Sequence, residues 1–339
     1  LQVVNISNPA SMSLLSSSLM PCEVMQVALA GTTAYLAGGL SGLEVVDISD
    51  PAAPERLYSA LMGGPGRPAA ENGFAYAWFE HHFHKGSLWR NTGGVHILET
   101  PDLAHLSNID IPGKVQSISV SGNRMYVAWR DDEAATAGVE VYDVQNPVAA
   151  AHLGTFTPPD GVRGVAADGA MLYYADLPSR FGIVDLSNVA SPQQKLSAYL
   201  GDPYYVDFVS IRGDILCGWS PSGLTILDVS NPVTPEVLYQ ALGNYSDVKQ
   251  QGETLFLAKE QDFIIMDKTC TKTHVCDLAV ADSVAVTGRL AYLGSSSGVK
   301  VLDIIDPADP VLLGSFDYGD ISPKLCAENG IVYASDDDR

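Results

Sequence analysis

The chain of 339 residues has no apolar run close to the ~20 residues needed to span a bilayer, so no membrane-crossing helix is expected. Its first residues lack the charged-then-apolar pattern of a secretory leader. Because the chain opens at Leu1 inside a repeat, that lack says nothing about export. Positive charge is scarce: 19 Lys and Arg stand against 40 Asp and Glu, a formal charge of -21. Such a surface repels phosphates at long range, which excludes nucleic acid and anionic lipid as partners. Five cysteines are too few for a disulfide scaffold. Cys270 and Cys276 are near enough in sequence to pair if they face each other. With His274 they offer ligand atoms but no fourth partner at a diagnostic spacing, so a bridge or buried thiols is expected before zinc. No long helical period is present. Gly-x-Ser-x-Gly, His-Glu-x-x-His, a phosphate-binding glycine loop and Cys-x-x-Cys are all missing, which weighs mildly against the commonest hydrolase, metalloprotease, NTPase and thiol-redox chemistries.

What is there is a repeat. LEVVDISDPAAP at Leu43 returns as VEVYDVQNP at Val139, LTILDVSNPVTP at Leu224 and VKVLDIIDPADP at Val299, with weaker copies at Leu1, Val95, Ile183 and Phe263. The polar residue ending each apolar run marks the units: Asn5, Asp47, Glu99, Asp143, Asp185, Asp228, Asp267 and Asp303. These markers fall 36 to 52 residues apart, and the two terminal pieces together supply one more period. A glycine followed by an aromatic or apolar residue accompanies every marker, as in Gly31 with Tyr35, Gly122 with Tyr126 and Gly288 with Tyr292. Each unit therefore reads as four short strands. The glycine supplies a tight hairpin and the Asn-Pro or Asp-Pro pair stops the third strand.

A four-stranded sheet of about 42 residues has two faces and cannot cover both alone, so it must stack on copies of itself. Eight units whose period closes across the termini predict an all-β, eight-bladed β-propeller of four-stranded antiparallel blades. A seven-bladed ring is the alternative. Residues 1–339 then form a single domain of eight repeats of about 42 residues. The last blade takes two strands from each chain end. The VVDIS-x-Pro core and the Gly-x-x-Ala-Tyr element resemble the LVIVD-repeat family of bacterial and archaeal β-propellers. That resemblance implies an exported, periplasmic or cell-surface protein and brings no reaction with it.

In a propeller, loops at one end of the first strands gather on one face. Six residues before each hairpin glycine lies a candidate binding mouth, from which Arg67, Gln116, Arg163, Asp207, Asp282 and Lys324 are taken, with Asp247 one place further on. Mixed charges there can hold a small polar ligand, a carbohydrate or a protein. They can equally pair with one another and with water. A second candidate is the insertion HHFHKGSLWRNTGG, read as an extended loop in which His82 and His84 share a side and Glu80 can add an oxygen, a possible metal site. The bland reading is a solvated aromatic loop. Trp78, Phe79, Phe83, Trp89, Tyr204, Tyr205 and Trp219 are candidates for stacking on a sugar, or for packing between blades. The marker carboxylates are one per blade and are expected to bond backbone N–H groups in the following turn. Asp131-Asp132-Glu133 and Asp336-Asp337-Asp338 have oxygens for calcium but no spaced ligand pattern. A binding or interaction module is the leading reading. A propeller enzyme using the mouth or a metal, and a purely structural surface repeat, stay open beside it.

Overall fold

The computed structural model describes residues 1–20, 24, 26–37, 43–60, 69–71, 74–85, 88–99, 105–132, 134–159, 161–176, 180–199, 206–260, 262–270, 272–276, 281–317, 324–328 and 330–335. Among these there is no α-helix. Eight antiparallel sheets of four strands each make an eight-bladed propeller. Numbered along the chain, blade 2 runs from Gln26 to Ala60, blade 3 from Ala69 to Ile111, blade 4 from Lys114 to Phe156 and blade 5 from Gly164 to Tyr199. Blade 6 runs from Phe208 to Leu242, blade 7 from Tyr245 to Cys276 and blade 8 from Ser283 to Phe316. Blade 1 is the composite one. Lys324–Glu328 and Ile331–Ser335 give its first two strands, and Gln2–Asn5 and Ser13–Ser17 its last two. The chain ends are joined by antiparallel pairing of Gln2 with Ala334 through Asn5 with Ile331.

The chain separates into two compact units. One holds residues 1–60 and 243–339, hence blades 7, 8, 1 and 2; the other holds 61–242, hence blades 3 to 6. Within each unit the strand period of two explains the stacking. In blade 4, Met125 and Val127 pack with Val95 and Ile97 of blade 3. The intervening Tyr126 and Ala128 pack with Val165 and Leu172 of blade 5. Phe256 and Ile265 of blade 7 meet Val284 and Leu293 of blade 8 in the same way.

The turn chemistry follows the sequence. Gly31, Gly122, Gly169, Gly213, Gly252 and Gly288 all lie at φ between 56° and 59°, a left-handed conformation costly for any other residue. The marker side chains close the next turn. Asp47, Asp143 and Asp228 each accept the N–H two residues on at 2.8 Å. At Asp185 the Ser187 hydroxyl and N–H both donate, which holds that carboxyl below its usual range.

Two features differ from expectation. The third and fourth strands of every blade carry a register shift at the same place, leaving one fourth-strand residue unopposed. These residues are Leu15, Leu57, Leu106, Leu153, Lys195, Leu238, Thr273 and Leu313, a leucine in six of eight. Such a bulge twists the outer edge and makes it a poor template for pairing with another chain. The blade 3 insertion, expected as a loop, is instead a continuation of two 12-residue strands, Phe74–Lys85 and Leu88–Glu99. Beyond Glu80 opposite Gly93 these strands pair only with each other among the described residues, from His81 opposite Thr92 to Lys85 opposite Leu88. An apolar-polar mixture with aromatic residues on both sides of Gly86-Ser87 is hairpin chemistry, and a two-residue link is enough.

Candidate functional site

Within each unit the first strands of consecutive blades lie side by side, and each would present unbonded N–H groups to its neighbour. Blade 4 answers this with alternate serines. Ser117, Ser119 and Ser121 accept from the N–H of Val165, Ala167 and Gly169 in blade 5 at 3.3, 3.0 and 2.9 Å. Asp247 takes the Ser117 position in blade 7. One carboxylate oxygen accepts from Val284 N–H of blade 8 at 3.1 Å, and the other from Val248 N–H and Lys249 Nζ, both at 3.0 Å.

One residue earlier in register the side chains meet each other instead. Arg163 Nη1 donates to Asp207 Oδ1 at 2.7 Å between blades 5 and 6, and both groups keep substantial exposure. Gln116 sits at a bulge in the first strand of blade 4 and donates to the Lys114 carbonyl at 3.3 Å. Asp282 begins blade 8, its N–H bonded to the Gly294 carbonyl at 2.7 Å. Lys324 proves to belong to the other register. Gly330 is the second residue of its hairpin turn, between Glu328 and Ile331, whereas Gly31 is the first of its turn, so counting back from the glycine shifts Lys324 into the Ser117 and Asp247 position. Arg67 lies outside the described residues.

Within the unit of blades 3 to 6, a cleft of about 170 Å3 gathers Trp78, Gln116, Ser117, Ile118, Val165, Asp207, Phe208 and Val209. Four blades contribute. Trp78 is only 6% exposed, and its indole Nε1–H is buried with no hydrogen-bond partner among the described residues. A buried donor left unsatisfied costs about 1–3 kcal/mol, so such groups in folded proteins call for a reason. Trp78 does not stand on a loop end as the sequence suggested; it lies in the second strand of blade 3, opposite Val95. Its column in the repeat is informative. Aligned by strand pairing, the equivalents are Ala37, Ala128, Ala175, Trp219, Ala258, Gly294 and Ser335. Six of the eight blades have a small residue there, and blades 3 and 6 have tryptophan. Trp219 is buried and packs its ring 5.7 Å from Phe208, which lines the same cleft. That departure from the repeat was the available signal, and it needed alignment by pairing rather than by glycine.

Other candidates are placed as follows. His82 and His84 occupy alternate positions of the long blade 3 strand, opposite Asn91 and Trp89. Their side chains, with those of Phe79, Phe83 and Trp89, lie outside the described part, as do Tyr204, Tyr205 and Asp336-Asp337-Asp338. Among the described residues no group of three His, Cys, Asp or Glu is arranged to hold a metal ion. A second cleft of about 470 Å3 is lined by Arg130, Asp131, Asp132, Thr136, Thr157 and neighbouring residues. Its carboxylates are engaged locally: Asp131 accepts the Ala134 N–H at 3.0 Å and Asp132 pairs with Arg130. Cys270 carries a free thiol, so it forms no bridge to Cys276. Burial, and then the charge of Asp267, push that thiol up to about 11.

The buried Glu140, unremarked in the sequence, is a hub of blade 4. Trp129 Nε1 and Thr155 Oγ1 donate to it at 2.9 and 2.7 Å, and His152 Nε2 lies 2.6 Å away. The adjacent Tyr142 hydroxyl is pushed up to about 12 by burial and then by the charges of Glu140 and Asp110.

Eight blades whose third strands end in Asp, or in Asn5 and Glu99, define a class of repeat propeller, and the comparisons place the chain within it. The LVIVD repeat matches residues 1–19, 22–59, 112–133, 161–199, 206–239 and 280–318, more than half of the sequence, and the chain belongs to the LVIVD-repeat family. No curated protein matches it. Among solved structures it is similar to the computationally designed Ika8 protein, at 11% identity and TM-score 0.71 over 94% of this chain and 95% of that one. It is similar to Saccharomyces cerevisiae Sqt1, at 10% and 0.66 over 93% and 94%. Citrobacter koseri AztD aligns at 12% and 0.63 over 100% and 98%. At these identities the likeness is one of fold alone.

Proposed function

We propose that this protein is an exported, periplasmic or cell-surface binding module that takes a small polar ligand at the cleft of blades 3 to 6. One observation carries the reading: Trp78, standing where six of the eight blades have a small residue, lines a cleft that also presents Gln116, Asp207 and the ring of Phe208. Polar side chains beside aromatic and aliphatic surface are the lining of a small-ligand cleft. The location rests on the family, whose resemblance points outside the cytoplasm. The Arg163–Asp207 pair holds the Asp207 carboxylate in place while leaving its second oxygen without a partner among the described residues.

A titration-based screen of sugars, amino acids and organic anions against the whole chain tests this. The expected result is at least one ligand whose binding is weakened by both Trp78→Ala, which gives blade 3 the small residue of the other blades, and Asp207→Asn. A screen with no ligand, or with ligands indifferent to both substitutions, overturns it.

A further inference from the structure

We infer that the strand extension of blade 3 holds a divalent transition-metal ion of the zinc, copper or nickel class, with His82 and His84 as its ligating residues. The inference does not use the cleft of blades 3 to 6. Its ground is register. Three of the chain's seven histidines fall within residues 81–84. In a loop, His81 with His84 and His82 with His84 are equally available as a pair. The observed strand decides between them, because successive residues of a strand alternate between its two faces. His82 and His84 share one face, and His81 falls on the other.

The pairing carries this alternation across the hairpin. With His82 and His84 stands Glu80, and opposite these three are Asn91, Trp89 and Gly93. The other face has His81, Phe83 and Lys85, with Thr92, Arg90 and Leu88 opposite. Charge is therefore sorted by face. Both cationic residues of the extension, Lys85 and Arg90, stand on the face of His81, and its carboxylate, Glu80, stands on the face of the pair. A cation is favoured on one side of the hairpin and repelled from the other, on a chain whose net charge of -21 draws cations in general. The favoured side continues the face on which Tyr76 and Trp78, two and four residues before Glu80 in the same alternation, pack toward blade 4.

The spacing suits one ion. Residues two apart on a strand are separated by about 6.7 Å, a span that two imidazoles can close on a single ion with bonds of about 2.0–2.1 Å. Imidazole nitrogen suits zinc, copper and nickel, whereas calcium and magnesium take oxygen ligands, so the pair selects the first group. Two protein ligands leave the other coordination positions to water.

The test is isothermal titration of the full chain with zinc chloride and nickel chloride, with calcium chloride as the oxygen-seeking control. The expected result is a zinc or nickel site weakened at least tenfold by His82→Ala and by His84→Ala, and changed less than twofold by His81→Ala. No such binding, a site that survives loss of either His82 or His84, a site weakened as much by His81→Ala, or calcium bound as tightly at the same residues overturns the inference. Each variant is first checked for an unchanged far-ultraviolet circular dichroism spectrum. Should one fail to fold, diethyl pyrocarbonate modification of the unaltered chain, mapped by peptide fragmentation, replaces it. Zinc is expected to slow modification of His82 and His84 and not of His81, and any other pattern overturns the inference.

Discussion

Asp207 and Asp247 look alike in the sequence, each lying near the start of the first strand of its blade. The fold treats them oppositely. Asp247 stands in the register that faces the backbone of the next blade, and both its oxygens are taken by Val284 N–H, Val248 N–H and Lys249. Asp207 stands one residue earlier, where side chains meet side chains, and one oxygen accepts from Arg163 while the other has no partner among the described residues. Because strand side chains alternate, a shift of one residue separates a carboxylate that clamps the next blade's backbone from one that pairs with a side chain.

Several substitutions break or sharpen this contrast. The largest effect is expected for a carboxylate even more committed than Asp247: Glu140→Ala removes the shared acceptor of Trp129, Thr155 and His152, leaving a buried indole N–H unpaired. A loss of about 3 kcal/mol is expected, read as a lowered midpoint of urea unfolding. Asp247→Ala should cost about 2 kcal/mol in the same assay. Asp247→Asn should cost about half of that, since its amide oxygen still accepts from Val284 N–H. Ser119→Ala deletes one rung between blades 4 and 5 and should cost about 1 kcal/mol. Asp207→Asn should change stability by no more than about 0.5 kcal/mol, because the Arg163 pair is largely exposed, while removing the ligand response described above. If Asp207→Asn unfolds the protein as readily as Asp247→Asn, the distinction between the two registers fails. Least affected of all is Cys270 at neutral pH. With its thiol raised to about 11, iodoacetamide labelling followed by peptide mapping should be at least about tenfold slower at pH 8 than for free cysteine, and should accelerate as pH climbs toward 11.

Much of the architecture was legible because it rests on short-range chemistry. The hairpin glycines at positive φ, the Asx turns after Asp47, Asp143 and Asp228, and the joining of both termini in one sheet all follow from residues a few places apart repeated at a steady period. The fourth-strand bulge was not read, although Leu15, Leu57, Leu106, Leu153, Leu238 and Leu313 mark it. Leucine in a strand signals burial, and nothing local says that one residue goes unopposed. The cleft was half legible. Gln116 and Asp207 came from counting, but Trp78 was placed on a loop end because the insertion in blade 3 hid its register. Contacts between blades join residues some 40 positions apart, and no periodicity within one blade specifies them. Asp247 was grouped with the mouth for the same reason: only pairing across blades tells adjacent registers apart.

The composite sheet also decides how the molecule carries load. Gln2 faces Ala334, so residues 1 and 335 leave the sheet at the same end of two antiparallel neighbours. A pull applied through both ends therefore meets the hydrogen bonds of that seam one at a time, as a zip is opened, instead of all together in shear. Under such a pull, the joint that completes the ring is expected to yield first.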